Sequence, residues 1–260
     1  KGSWKDSKNK MKFEIENWRK YVSKIKHIHL PANSELEEFH NYLDIPKEKM
    51  SVIYHGVDHN FFKPSDNKAS TRKKILTKLN LPDAPYFLHI GENNYVRKNL
   101  KRLGEAYEQA KYSNLSTKFE HNLIIAGKHY PAIEKELTRI GGIYFLDWIS
   151  NDDLLELIQA SDAFFLPSIH EGFGMPLVES MSCGIPCVSS NRHAPPEIIS
   201  DSGILVDPYD VNSIANAMIL LDSDKKLLKD LSEKSLSRAK DFSWNKNAKE
   251  IFKLYDVNVL

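Results

Sequence analysis

The run His170-Glu171-Gly172-Phe173-Gly174-Met175-Pro176-Leu177-Val178-Glu179 holds the densest chemical signal in the chain. Gly172 and Gly174 let the backbone approach a ligand closely, and Pro176 suits the first turn of a helix. The free N–H groups of such a helix start attract an anion. Glu171 sits in the loop before that helix and Glu179 about one turn into it, so a carboxylate stands on either side of the anion site. Carboxylates accept hydrogen bonds from vicinal diols. The arrangement suits a ligand with phosphate at its centre and hydroxyls at both ends, the distribution found in a nucleotide sugar.

A second loop, Gly91 to Asn99 (GENNYVRKN), brings cations. Arg97 and Lys98 stand at the start of a helical stretch, where positive charge opposes the helix dipole. Alone they would read as a solvent-facing basic pair; beside the Glu171 loop they read as phosphate ligands.

Both loops are held by the same kind of unit. From residue 85 onward, short apolar runs alternate with amphipathic stretches. The strands are expected at Tyr86–Ile90, Asn122–Ala126, Ile143–Leu146, Ala163–Leu166, Ile185–Ser189 and Gly203–Val206. Between them lie helices marked by the Leu100, Leu103, Tyr107, Ala110 stripe, by Pro131, by the capping pair Ser150 and Asp153, and by Pro176. Three helical stretches fill 211 to 256. Continuously apolar strands separated by helices imply an α/β, doubly wound, parallel (Rossmann-like) sheet, whose ligands bind beyond the carboxyl ends of the strands.

Residues 1–65 read as the tail of another α/β unit, the remnant of an N-terminal domain. They hold a helix-like stretch from Met11 to Val22, a strand Ile28–Leu30, a helix from Ser34 and a strand Ser51–Tyr54. Residues 66–83 are expected to form a linker region, following the turn-rich Lys63 to Asn67. The ligand-binding domain is expected at 84–241, and residues 242–260 as a final helix packing back toward the N-terminal part.

The segment His170 to Val188 resembles the E-x7-E signature of retaining glycosyltransferases of family 4, which have the GT-B fold of two facing Rossmann-like domains. Supporting matches follow the family's order: Gly56-Val57-Asp58, Arg97-Lys98-Asn99, Leu166-Pro167-Ser168, Pro196-Glu197, Val206-Asp207-Pro208 and Phe242-Ser243-Trp244. The similarity covers roughly residues 25 to 255. It implies the C-terminal, donor-binding half of such an enzyme, transferring a hexose from a nucleotide-diphosphate sugar to a glycan or lipid-linked acceptor, without a metal or other cofactor.

By the same resemblance, Glu171, Gly172, Phe173 and Gly174 contact the donor sugar and its phosphate, with Gly91, Asn99, His170, Met175, Pro176 and Leu177 around them. Glu179 binds the ribose hydroxyls, and Lys98 with Arg97 the pyrophosphate; Glu171, Lys98 and Arg97 are the expected catalytic groups. Backbone near Asp147 and Trp148 faces the base. Glu92 stands where many members carry an arginine, leaving phosphate neutralisation to Lys98 and Arg97. The Arg97-Lys98-Asn99 form leans toward GDP-mannose over UDP-sugars. An inactive nucleotide-sugar-binding module lacking the acceptor domain is the competing expectation, and a GT-B enzyme of other chemistry such as an epimerase is a third.

Composition narrows the field. The chain has 260 residues and a net charge of +1, too balanced for a dedicated nucleic-acid binder. Residues 1 to 26 carry nine Lys/Arg against three acids, a solvated leading segment or, on the alternative reading, a contact with an anionic membrane face. The first residue is Lys1, so the sequence is expected to begin inside a longer protein, with the N-terminal domain supplied by further sequence or another chain. Cys183 and Cys187 form no disulfide framework, which points to a reducing cytoplasm, and their surroundings favour core packing. A dinucleotide fingerprint is absent after Tyr86–Ile90, and Gly127-Lys128 lacks the rest of a P-loop. Asp222-Ser223-Asp224 matches a metal-holding D-x-D but reads as helix-terminal acids, and His27 with His29 reads as packing rather than a metal site. Phe242 and Trp244 are expected to anchor the last helix.

Overall fold

The computed structural model describes residues 15–22, 24–91, 96–113, 118–128 and 131–259, with side chains to residue 255. The chain divides into two compact units, Lys1–Gly56 with Trp244–Leu260, and Val57–Ser243.

In the smaller unit, residues 15–22 form α1, followed by β1 (Ile28–Leu30), α2 (Asn33–Leu43) and β2 (Met50–Val52), with the C-terminal helix Trp244–Val259 (α11). β1 and β2 pair in parallel, Ile28 opposite Met50, and α2 supplies the crossover that parallel neighbours need. Leu30, Leu43, Ile45 and Met50 make its core. The strand expected at Ser51–Tyr54 ends at Val52. The Tyr54 carbonyl accepts instead from Asn247 Nδ2 at 2.7 Å, a side-chain partner in place of a strand.

The larger unit runs α3 (Lys68–Lys78), β3 (Tyr86–Ile90), α4 (Leu100–Lys111), β4 (Asn122–Ala126), α5 (Pro131–Leu137), β5 (Ile143–Leu146), α6 (Asn151–Ala160), β6 (Ala163–Leu166), α7 (Met175–Ser182), β7 (Cys187–Ser190), α8 (Pro195–Ile199), β8 (Gly203–Val206), α9 (Val211–Ser223) and α10 (Lys225–Ala239). Its six strands are all parallel, in the order β5-β4-β3-β6-β7-β8. The chain winds outward from β3 to β5, returns to place β6 beside β3, and winds outward the other way. β3, β4 and β6 are buried along nearly their whole length, as sheets covered on both faces require. Leu100, Leu103, Tyr107 and Ala110 of α4 are buried together, and Ser150 Oγ caps α6 by accepting from the Asp153 N–H at 3.1 Å.

Three further boundaries differ from expectation. Residues 66–83 are no linker: they hold α3, which buries Ile75 and Leu76 and is pinned to the end of α6 by Arg72, whose guanidinium donates to Ala160 O and to Asp162 Oδ1. Val57 to Lys63 belong with the larger unit rather than with residues 1–56. The Val57 N–H reaches Phe242 O, Val57 bridges Ser243, His59 bonds Ser182 Oγ at 2.9 Å, and Gln159 donates to Lys63 O. The strand expected at Ile185–Ser189 starts at Cys187, since Pro186 has no N–H to give to the ladder.

At the amino ends of β3, β4 and β6 a buried charge cluster closes the sheet. His121, stacked on Phe87, donates from Nδ1 to Asp222 Oδ1 at 2.6 Å and faces Asp162 Oδ2 at 3.4 Å from Nε2. Burial alone would push this imidazole down; the hydrogen bonds and charges of Asp162 and Asp222 outweigh burial and hold it above 6.5. A raised folded value means the stabilisation is complete below 6.5 and fades as pH rises through the folded value. His121→Phe, which keeps the stack on Phe87, is expected to cost about 2 kcal/mol at pH 6 and progressively less at higher pH. A thermal-midpoint difference between wild type and variant that stays constant across that range would refute the linkage. Comparing the two proteins cancels buried His89, whose depressed value makes stability fall as pH drops below 6.5.

Candidate functional site

The reversal of winding between β3 and β6 is where a doubly wound sheet opens a crevice for ligands. The loops that follow these two strands are the two singled out in the sequence. Residues 96–99 form a turn leading into α4, and Asn99 takes the left-handed conformation with φ 61°. Its Nδ2 donates to Pro167 O at 2.9 Å and Pro208 O at 2.6 Å. Expected as a donor contact, Asn99 is buried and is instead the tie that joins the β3, β6 and β8 loops, with its amide hydrogens spent on the protein. Arg97 NH1 donates to His170 O, and the Ile169 N–H donates to Arg97 O, zipping the two loops together.

The zipped loops bring three charges into contact. Lys98 Nζ donates to Glu171 Oε1 at 2.8 Å, and Arg97 NH1 lies 3.1 Å from Glu171 Oε2. Lys98 and Glu171 are 7% and 6% exposed, which places the pair in a low-dielectric setting where charge acts strongly. Burial pushes the Glu171 carboxyl up, but the Lys98 and Arg97 charges outweigh it and hold it below its ordinary range. Glu179 is the opposite case. It lies half-buried in α7, burial holds its carboxyl above the ordinary range, and among the described residues no group donates to that carboxylate. One carboxylate is clamped by cations; the other is partly desolvated with no such partner.

Gly174, the residue before α7, lies in the left-handed region with φ 93° and offers no side-chain cap. The N–H groups of Gly172, Gly174 and Met175 donate to no described residue, so a row of amides stands ready for an anion. Two neighbours expected at the ligand turn inward. Phe173 is buried edge-on against Phe242 at 5.8 Å, and Leu177 is fully buried. Their side chains support the loop; Met175 and Pro176 stay partly exposed. His170 remains partly exposed, its ring 4.2 Å from that of His193.

Gly91 ends β3, its N–H bonded to Ala126 O. Gly127 ends β4 with φ 115°, and a Cβ there would lie 2.3 Å from Gly91 O. Asp147 and Trp148 follow β5 and are exposed, with the Trp148 N–H bonded to Asp147 Oδ1. β5 is two strands from β3, about 10 Å away. Glu92, with Asn93 to Tyr95, lies outside the described residues, as do Lys1, Lys5, Lys8, Lys10, Lys12 and Met11.

Sequence reading missed two histidines here. His193, with φ 60°, packs on His170, and nothing in its context announced this. His89 is fully buried in β3 beside Lys98, hidden in an apolar run. The signals set aside have other partners or surroundings. Asp222 holds His121, and Asp224 caps α10. His27 bonds Ser51 Oγ, while His29 is exposed. Cys183 and Cys187 are free, buried thiols that burial pushes up. Phe242 is buried in the larger unit, whereas Trp244 is about half exposed. Among the described residues no helix is long and apolar enough to cross a membrane.

Comparison with known proteins gives a consistent result. Residues 71–238 match the family described as Glycosyl transferases group 1. The chain is 33% identical over 191 residues to O-antigen chain mannosyltransferase B of Escherichia coli, covering 70% of this chain and 49% of that protein. It is 26% identical over 254 residues to a Campylobacter jejuni enzyme, N,N'-diacetylbacillosaminyl-diphospho-undecaprenol alpha-1,3-N-acetylgalactosaminyltransferase, covering 95% of this chain and 65% of the enzyme. Anabaena HepE, solved in complex with UDP and glucose, superposes with a TM-score of 0.80 at 20% identity over 94% of this chain and 67% of HepE. The chain thus spans about half the length of the mannosyltransferase it matches.

Proposed function

Because the chain belongs to the group 1 glycosyl transferases, we propose that it carries the donor side of a hexosyltransferase. That enzyme moves a hexose from a nucleotide-diphosphate sugar to a glycan or lipid-linked acceptor, with retention of configuration. The carrying observation is the buried Lys98–Glu171 pair, joined by the half-exposed Arg97, beside the unpaired amides that open α7. Lys98, Arg97 and those amides stabilise charge developing on the leaving diphosphate, the electrostatic contribution that is usually largest in such catalysis. The protein's own cations do this work in the proposed reaction, with no metal ion. Glu171 orients the sugar, and Glu179, open to hydroxyl donors, takes the ribose. Asp147 and Trp148 face the base. Retention proceeds on one face of the sugar, so neither glutamate is a nucleophile.

The mannosyltransferase name of the E. coli relative supports mannose as the sugar transferred, from GDP-mannose in our reading, and the UDP complex of HepE supports nucleotide-sugar binding in this fold. The undecaprenol-linked substrate named for the Campylobacter enzyme supports a lipid-linked acceptor. We place the reaction in the cytoplasm, at the inner face of the membrane, with the basic leader near the lipid. Since the chain spans half of its mannosyltransferase relative, a donor-binding module is the second reading.

A thermal-shift panel of UDP-, GDP- and dTDP-sugars tests the proposal. A ligand at 100 times its dissociation constant adds about 2.7 kcal/mol, which at this size raises the midpoint by about 5 °C or more. GDP-mannose is expected to give the largest shift, and silence across the panel would sink the donor site. Release of free nucleotide with acceptor present marks an enzyme; a shift without release marks a binding module.

A further inference from the structure

His89 occupies the next-to-last position of β3 and has no exposed surface. Its Nδ1 lies 2.8 Å from Phe165 O of β6. A carbonyl only accepts, so Nδ1 carries the proton and Nε2 presents a lone pair. That nitrogen is buried and has no hydrogen-bond partner among the described residues. Burial first, and then the Lys98 charge, push the imidazole down to about 4, so the ring is neutral at working pH. Buried acceptors are seldom left unpaired, because their lost hydration is not returned.

The surroundings say what the lone pair serves. A Cβ on Gly91 would fall 2.8 Å from His89 Nε2 and 3.3 Å from Lys98 Cγ. The ring nitrogen and the lysine stem therefore share the notch that Gly91 leaves by having no side chain. The Lys98 ammonium gives one hydrogen to Glu171. An ammonium has three.

We propose that His89 is a positioning residue, whose Nε2 receives a hydrogen from the Lys98 ammonium when Glu171 turns to the donor sugar. The inference rests on the donor-site reading above and adds to it the group that steers the phosphate-binding cation. A neutral imidazole suits this task. A carboxylate would cancel the charge that Lys98 must present to phosphate, and a second cation would repel it.

Two substitutions separate the nitrogens. His89→Asn keeps a donor for Phe165 O and loses the acceptor, while His89→Gln returns an acceptor near Nε2. Affinities for UDP and GDP are measured by calorimetry on the 260-residue chain, with each substitution made alone and with Lys98→Met. His89→Asn is expected to weaken nucleotide binding about tenfold, with most of the loss recovered by His89→Gln. In the Lys98→Met background the Asn substitution should do nothing more, since the group it acts through is gone. In the wild type, the nitrogen-15 resonance of His89 Nε2 should move upfield as UDP or GDP is added.

Unchanged affinity in His89→Asn, or an equal loss with and without Lys98, overturns the inference and leaves the donor site standing. Failure of the wild-type chain to bind either nucleotide overturns both. Should the Asn variant not fold, the nitrogen-15 titration decides: a resonance that stays still under saturating nucleotide refutes the role.

Discussion

In the proposed reaction, replacing Lys98 with methionine is expected to lower sugar transfer about a hundred- to a thousandfold, the loss typical when one preorganised charge at a developing anion is removed. Methionine matches the length and apolar stem of lysine, so the substitution isolates the ammonium. The effect has two parts that can be measured apart. Glu171 is 6% exposed and loses its hydrogen-bonded partner, keeping only the more solvated Arg97. Breaking a buried ion pair from one side costs about 3–5 kcal/mol, and the surviving Arg97 contact argues for the low end. Adding Glu171→Gln should restore most of the stability by removing the stranded charge, without restoring transfer. Wild-type transfer by Lys98→Met, or recovery of activity in the double variant, would show that Lys98 only neutralises Glu171.

Gly127→Ala is expected to destabilise the fold by about 3 kcal/mol or more and to abolish nucleotide binding. The glycine has φ 115°, and its added Cβ would lie 2.3 Å from the backbone oxygen of Gly91. Neither partner can step aside. The Gly91 N–H is held by Ala126 O and the Gly127 N–H by Leu146 O, so relief must move the ends of β3, β4 and β5 together. Gly141→Ala is the control. It too has positive φ, at 70°, but its Cβ would meet only the flexible tip of Lys111 at 3.5 Å, so about 1 kcal/mol is expected. Denaturant melts of the two variants settle the matter, and equal costs would mean that the contact with Gly91 is not what Gly127 avoids.

The parts of this molecule that could be read in advance share a physical reason. β3, β4 and β6 are covered on both faces, so their sequences are unbroken apolar runs, and helices between them dictate parallel order. The Glu171 loop could be read because glycines, a proline at the helix start and two acids fall at spacings fixed by local geometry. What escaped notice depends on partners distant in sequence. α3 buries only Ile75 and Leu76 of its eleven residues, too few to leave a stripe, and it is fastened by an Arg72–Asp162 pair ninety positions apart. Phe173 and Leu177 lie in the motif as apolar residues that could face ligand or core, and only their packing against Phe242 and the sheet decides. Asn99 carries the same amide whether it grips a substrate or two prolyl carbonyls. His89 sits in a run so apolar that its single polar edge vanished into the average.

The bridge between Val57 and Ser243 has a consequence for engineering and descent. These are the first and last residues of the larger unit, and they run side by side with the Val57 amide bonded to Phe242 O. A segment whose two ends emerge at one spot can be lifted out or exchanged as a cassette without any gap to span. Exchanging the larger unit between relatives would therefore need only two cuts, adjacent in space.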